Sequence, residues 1–369
     1  MSPPRDVLWV GFRNGLKDAA LRAAMAARGY RVSAVDTFDG GDKNWEREGD
    51  VTGTAFRGMR GLTIDTAFIR GLRKLIKERK PQLIQTDAGR RLISHVLLAA
   101  SGSQIPVIVE RGAIRGLNVL NPVDWLNYFG SGARLVLCPS QAMVRALRAQ
   151  PLVGSLLTRK LASCPHQIIL DESAFLSRDE ARAALGLSRD AFVVGAVCNI
   201  RPIKNIPVVA AAVSRLRAAF PIMRLAVIGD QSDAPEVARI AAVSDPDAVI
   251  FLGPRPSAWR YFRAFDALVS PTLPPGEGFG LTVAEAMLAG IPVVTSEHGA
   301  APEVAGEGGL IVATTDITAW KNAISALAKD PGRRAALGTA GRARALHTFS
   351  TQAVAQRLGD IYEDILGPA

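Results

Sequence analysis

The chain holds only three cysteines and four histidines among its 369 residues, and aromatic side chains make up only 6% of it. Cys138, Cys164 and Cys198 are scattered, with neither the spacing of a metal site nor the density of a disulfide scaffold. They read as buried thiols in a reducing compartment, and the chain as cytoplasmic. His166, His298 and His347 show no metal spacing, and His95 sits in an apolar helix pattern as a structural residue; His298-Gly299 is placed to line a cleft. No apolar run approaches the roughly 20 residues of a membrane-spanning helix. The opening Met1-Ser2-Pro3-Pro4-Arg5-Asp6 lacks the apolar stretch and small-residue cleavage site of a signal peptide. No Ser/His/Asp set is placed for a hydrolase. Asp245-Pro246-Asp247 imitates a DxD metal motif, but its turn-rich setting reads as a turn.

Acidic residues are outnumbered, and the net charge of +10 is unevenly placed. From Arg57 to Arg91, ten Lys/Arg face only Asp65, Glu78 and Asp87. Within this window Ile69, Leu72 and Ile76 share one helical face and the cations take the other. That helix either docks on an anionic membrane surface or is an ordinary amphipathic helix packed on a sheet, with a solvated basic face. Nucleic acid is not the expected partner, because the few aromatics are not interleaved with the cations.

At this length two domains are expected, and nearly half the residues are apolar, enough for sizeable cores. Strand patterns at 7–10, 31–35, 83–85, 107–109 and 135–138 alternate with helix patterns. The second half repeats this with strands at 192–197, 225–228, 249–252, 267–270, 293–295 and 310–312. Alternation of this kind gives parallel sheets covered on both faces. A first domain at 1–170, a charged connection at 171–190 and a second domain at 191–350 follow, with a last helix over 351–369 that crosses back to the first domain as an open alternative. Two similar α/β units imply a cleft, with ligands outside the carboxyl ends of the strands.

The densest chemistry lies in Pro275-Gly276-Glu277-Gly278-Phe279-Gly280-Leu281-Thr282-Val283-Ala284-Glu285-Ala286-Met287, just after the strand at 267–270. Two carboxylates stand eight positions apart across a glycine turn that opens an apolar helix. Backbone N–H groups of such a turn can approach phosphate closely, and carboxylates accept hydrogen bonds from hydroxyls. Phosphate donors flanked by hydroxyl acceptors suit a nucleotide-sugar. Thr282 and Glu285 also fit a capping box, and Glu277 also fits a solvated loop position. Asn199-Ile200-Arg201-Pro202-Ile203-Lys204-Asn205 follows another strand; Arg201 and Lys204 suit a diphosphate, or are exposed loop cations. Gly11-Phe12-Arg13-Asn14-Gly15 occupies a first phosphate-facing turn, or carries glycine for geometry alone; it is neither a GxGxxG nor a P-loop.

On these residues the sequence resembles glycosyltransferase family 4, the group-1 retaining glycosyltransferases of the GT-B fold. The segment Glu277 to Glu285 fits the family's E-x7-E motif. Supporting pieces are residues 195–204, Phe265-Asp266-Ala267-Leu268-Val269-Ser270-Pro271, Ala289-Gly290-Ile291-Pro292-Val293-Val294 and the segment from Gly299 to Val304, with Glu303-Val304 before Gly308-Gly309-Leu310. The resemblance implies two Rossmann-like parallel-sheet domains facing a central cleft. It implies sugar transfer from a nucleoside-diphosphate-sugar to a hydroxyl acceptor with retention at the anomeric carbon. Catalytic roles fall to Glu277, Arg201 and Lys204. Donor-binding roles fall to Gly15, Gly278, Phe279, Gly280, Leu281, Thr282 and Glu285, with Glu277 on the sugar and Glu285 on the ribose. No metal and no further cofactor is implied, the cations and helix dipole replacing a divalent ion. The implied acceptor is a cell-envelope glycan or a lipid-linked saccharide, as in lipopolysaccharide-type biosynthesis, handled in the cytoplasm or on the inner face of the membrane. A nucleotide-sugar epimerase and a non-catalytic nucleotide-sugar-binding protein remain as alternatives.

Two positions depart from the family. Its usual arginine, five positions before the lysine, is replaced by Asn199, and the arginine here is Arg201. Its frequent cleft histidine after the fourth strand is replaced by Arg111, which cannot act as a base. Arg111 either binds phosphate on donor or acceptor or makes a structural ion pair with Glu110 or a neighbour. Trp125 and Tyr128 either lie near the acceptor or pack.

Overall fold

The computed structural model describes residues 3–11, 16–37, 51–54, 64–87, 89–114, 116–168 and 172–367. The chain forms two compact units, Met1–Gln167 with Thr351–Ala369, and Ile168–Ser350.

The first unit carries a seven-stranded sheet built from β1 (Arg5–Val10), β2 (Tyr30–Thr37), β3 (Val51–Thr54), β4 (Leu83–Thr86), β5 (Val107–Glu110), β6 (Leu135–Cys138) and β7 (Leu161–Ser163). The order is β3-β2-β1-β4-β5-β6-β7, with every adjacent pair parallel. A central parallel strand is covered on both faces and so reads as a near-continuous apolar run. In β1, Leu8 and Val10 enter one core layer and Val7 and Trp9 the other. The helices Thr66–Arg79, Arg90–Ala100 and Gln141–Arg148 build the first layer; Leu16–Ala26 and Thr351–Leu366 build the second.

The last helix is fixed to the sheet by a buried polar chain. Trp9 Nε1 donates to Tyr362 Oη at 2.8 Å, Tyr362 Oη donates to Gln85 Oε1 at 2.5 Å, and Gln85 Nε2 donates to Glu110 Oε1 at 2.6 Å. Burial pushes the Tyr362 phenol well above its ordinary pKa, so the hydroxyl stays a donor at neutral pH.

The basic helix Thr66–Arg79 buries Phe68, Ile69, Leu72 and Ile76. Asp65 caps its start, accepting from Phe68 N at 2.9 Å, while Asp65 N donates to His95 Nε2 at 2.9 Å. Because His95 Nε2 accepts, Nδ1 carries the proton that meets Arg91 O at 2.7 Å. His95 is thus a structural residue, as its apolar setting suggests. Arg73 donates to Leu98 O at 2.6 Å and Ala99 O at 3.3 Å, at the carboxyl end of the neighbouring helix. It is committed to packing, whereas Arg70, Lys74, Lys77 and Lys80 are exposed.

The second unit carries β8 (Val193–Val197), β9 (Arg224–Ile228), β10 (Val249–Gly253), β11 (Ala267–Ser270), β12 (Val293–Ser296) and β13 (Gly309–Val312). The order is β10-β9-β8-β11-β12-β13, all parallel. Successive crossovers run outward in one direction from β8 and in the other from β11, so the switch point lies between these two strands. The described part of the 171–190 segment packs within this unit. Its helix Arg178–Leu185 buries Arg182 completely. The Arg182 guanidinium donates to Ala264 O at 3.0 Å, Ser188 O at 2.8 Å and Asp266 Oδ2 at 2.8 Å. Asp266 also accepts from Arg178 at 2.7 Å and from Val193 N at 2.7 Å. Burial depresses the Arg182 pKa and the Asp266 charge opposes it.

The sequence pattern marks neither β3 (Val-Thr-Gly-Thr) nor β7 (Leu-Ala-Ser). Both are short edge strands with few branched apolar residues, defined by their pairing with β2 and β6.

Removing Arg182 leaves Asp266 buried and incompletely paired, so Arg182→Met should lower the stability of the second unit by about 3 kcal/mol or more. Arg178→Ala, at the half-exposed arm of the same cluster, should cost under about 1 kcal/mol. Urea denaturation followed by circular dichroism compares the two, and equal losses would contradict the assignment. In the first unit, Tyr362→Phe should cost about 1–3 kcal/mol by stranding Trp9 Nε1 and Gln85 Oε1, read as a fall in denaturation midpoint.

Candidate functional site

The loops that leave β8, β9, β11 and β12 at their carboxyl ends are laced together by backbone bonds. Ile200 N donates to Asp230 O at 2.8 Å, and Asp230 N donates to the Asn199 side-chain oxygen at 3.1 Å. Asn199, where the resemblance expects another residue, therefore ties the β8 loop to the β9 loop. The chain then turns through Pro202–Lys204, with Lys204 N on Arg201 O at 2.9 Å. Asn205 adopts a left-handed conformation at φ 51° and donates from Nδ2 to Thr314 O at 3.1 Å. Its neighbour Leu273, in the β11 loop, donates from N to Ile203 O at 2.8 Å. The switch point is thus bridged by main chain.

The glycine turn after β11 depends on close backbone approach. Gly276 and Gly299 have φ of 80° and 68°. A Cβ at Gly276 would lie 2.5 Å from Gly299 N and Cα, and one at Gly299 would lie 2.6 Å from Glu277 N. Neither position accepts a side chain. Ala300 N donates to Glu277 O at 2.9 Å, so Glu277 is held by the β12 loop as well as by its own turn. Its carboxylate pairs with Lys204 Nζ, and the two side chains are 29% and 26% exposed.

Phe279 is buried and meets Phe349 edge-on at 5.3 Å between centroids. Gly280, next in the chain, is buried as well, whereas Gly278 is partly exposed. Gly280 at φ 88° opens the helix Leu281–Leu288. Leu281 and Thr282 therefore form its first turn, where N–H groups have no acceptor within the helix. The Thr282–Glu285 pattern does not form a capping box, because the cap position is Gly280 and Thr282 already lies inside the helix. Glu285 sits in the second turn, partly exposed. Arg201 is exposed at the head of its turn. Hydrogen bonds from Ser232 hold the Asp230 carboxyl below its ordinary range, and the Arg201 charge adds to this.

Sequence-predicted residues thus fall into three groups. Lys204 and Glu277 are brought into contact, with 278–282 and Glu285 continuing from Glu277 into the helix. Arg201 shares the Lys204 loop. Gly15, in the first unit, lies outside the described residues. Arg111, also in that unit, is buried at the end of β5, with its guanidinium 5.1 Å from the centroid of the buried Tyr128 ring. Burial pushes the Tyr128 phenol up, and the Arg111 charge and hydrogen bond oppose this. Tyr128 therefore packs, while Trp125 is half-exposed beside the exposed Leu120, Val123 and Leu126. Glu110 takes a hydrogen bond from Gln85.

What the motif pattern misses is the contribution of main chain from the β9 and β12 loops. Glycine at 299 and asparagine at 199 were the available signals. Burial raises Cys138 and Cys164 to about 12 and Cys198 to about 11, so these thiols remain protonated at neutral pH. Asp245 faces Arg217 at 3.6 Å in a turn before β10. Among the described residues no group of three or more His, Cys, Asp or Glu could hold a metal ion.

Two family models match the chain: Glycosyltransferase Family 4 over residues 19–153 and Glycosyl transferases group 1 over residues 191–330. The lipopolysaccharide core biosynthesis mannosyltransferase LpsB of Rhizobium meliloti is 30% identical over 200 residues, 51% of this chain and 56% of the relative. A D-inositol 3-phosphate glycosyltransferase of Stackebrandtia nassauensis is 37% identical over 184 residues, 46% of this chain and 41% of the relative. These matches span about half the length of the relatives. A glycosyltransferase from Rickettsia africae superposes with a TM-score of 0.79 at 15% identity, covering 99% of this chain and 100% of the other. Anabaena Alr3699/HepE in complex with UDP gives 0.74 at 17% identity, covering 98% and 100%. The structural likenesses show the GT-B fold, and with matches in both units the chain belongs to glycosyltransferase family 4, the group-1 glycosyltransferases.

Proposed function

We propose that the protein is a retaining glycosyltransferase that moves a sugar from a nucleoside-diphosphate-sugar to a hydroxyl acceptor, in cell-envelope glycan or lipopolysaccharide-type biosynthesis. The observation that carries this is the meeting of Lys204 and Glu277 at the switch point of the second sheet, beside a glycine turn that opens a helix. A cation and a hydroxyl-accepting carboxylate side by side are what a sugar joined to a diphosphate requires.

In this reading the diphosphate lies against Lys204, Arg201 and the N–H groups of Phe279, Gly280 and Leu281. Glu277 accepts from hydroxyls of the donor sugar, and Glu285 accepts from the ribose. The bond from the anomeric carbon to the diphosphate oxygen breaks as negative charge gathers on the leaving group. Lys204, Arg201 and the helix start stabilise that charge. The acceptor oxygen attacks from the same face and forms the new bond, while its proton passes to the departing phosphate oxygen. This route requires neither a strong protein base nor a divalent ion. The relative named for lipopolysaccharide core biosynthesis supports an envelope acceptor, and the structural neighbour solved with UDP supports the donor class.

A lipid-linked acceptor places the work at the inner face of the membrane. No helix among the described residues is long and apolar enough to cross a bilayer. Docking instead falls to the exposed Arg70, Lys74, Lys77 and Lys80 of the basic helix.

Glu277→Ala should lower kcat by about a hundredfold or more while nucleotide still binds. Glu285→Ala should weaken nucleotide affinity by about tenfold. Steady-state kinetics and calorimetry on both folded variants check this, and unchanged values in both would refute the site. Nucleotide-sugar incubated without acceptor and followed by NMR should stay unaltered in its sugar configuration; an epimerised sugar would identify an epimerase. Sedimentation with anionic phosphatidylglycerol vesicles at low salt should show binding that falls with added salt and with Lys74→Gln/Lys77→Gln. Arg73 is unsuitable for that test because its loss disturbs packing.

A further inference from the structure

The contact between Lys204 and Glu277 has a second implication, which rests on the donor-site reading above. Both residues stand on pinned backbone. The Lys204 turn is bonded to Leu273 through Ile203 O at 2.8 Å and anchored by Asn205 on Thr314 O at 3.1 Å. The Glu277 turn is bonded to Ala300 N at 2.9 Å and wedged against Gly299. The two side chains are therefore presented to each other by fixed loops, about three-quarters shielded from solvent. An ammonium carries one charge, and here that charge is already neutralised by a carboxylate. A diphosphate arriving at Lys204 must displace Glu277 or share the ammonium with it.

We propose that Glu277 competes with the diphosphate for Lys204, and that this competition drives product release. On the intact donor, hydroxyls of the sugar engage the Glu277 carboxylate and draw it from Lys204, which turns to the diphosphate. After transfer the sugar is gone. Glu277 then recovers Lys204 and loosens the remaining nucleoside diphosphate. The sugar and diphosphate subsites are coupled through one ion pair, so occupation of the first strengthens the second.

Calorimetric titration with UDP, GDP and ADP tests this on the full chain, using wild type, Glu277→Gln, Lys204→Met and the double variant, each checked for native circular dichroism. Glu277→Gln should bind the preferred nucleoside diphosphate about threefold to tenfold tighter than wild type. Lys204→Met should bind it more weakly, and adding Glu277→Gln to Lys204→Met should bring no tightening. Unchanged or weaker binding by Glu277→Gln overturns the competition. So does equal tightening with and without Lys204, which would reflect only relief of repulsion between carboxylate and phosphate. If wild type binds none of the three diphosphates, the donor-site reading fails with it. Binding by wild type without the Glu277→Gln effect defeats the competition alone.

Discussion

Gly276 and Gly299 pass so close that neither position has room for a Cβ, and both take left-handed backbone. This approach is the constraint on which the candidate site depends. It brings the loop after β11 against the loop after β12, so that Ala300 N reaches Glu277 O. It also sets where Glu277 leaves the turn, and hence that its carboxylate meets Lys204 from a strand on the other side of the switch point. A side chain on either glycine would push the loops apart and separate the pair. The following Gly280 then turns the chain into a helix without a side-chain cap, leaving first-turn N–H groups without an acceptor inside the helix.

Each unit also holds a buried polar cluster with a different task. Asp266 lies in a segment that the family resemblance singles out, yet its partners are Arg182, Arg178 and Val193 N. Its work is architectural: it binds the entry helix to the first and fourth strands of the second sheet. In the first unit, Trp9, Tyr362, Gln85 and Glu110 form a chain across three strands and the last helix. Fully satisfied, such networks rigidify the interior and specify one arrangement of the elements that carry them.

The strands of the second unit are legible from sequence because parallel strands buried on both faces are continuous apolar runs, as in β8, Val-Val-Gly-Ala-Val. The edge strands β3 and β7 are not, since their extended form comes from a neighbour. The spacing of Glu277 and Glu285 is local and is read directly. The contact between Lys204 and Glu277, 73 positions apart, is not, because it depends on strand order. The Thr282–Glu285 pattern misleads because the cap rule presumes a non-helical Thr282, whereas glycine at 280 lets the helix begin earlier. Arg111 shows the limit of reading charge alone. Its guanidinium lies over a buried aromatic ring, a use of arginine that leaves no spacing signal.

The helix Thr351–Leu366 belongs to the unit whose sheet begins at Arg5. Its Tyr362 fills the space beside Trp9 and supplies the acceptor for the indole N–H. During synthesis, the second unit has all its strands in hand before that tyrosine is made. The first unit, although translated earliest, waits with an open core layer over Trp9 and Met25 until residue 362 emerges. The order of birth along the chain is therefore not the order of completion: the older unit is closed last, by the youngest helix.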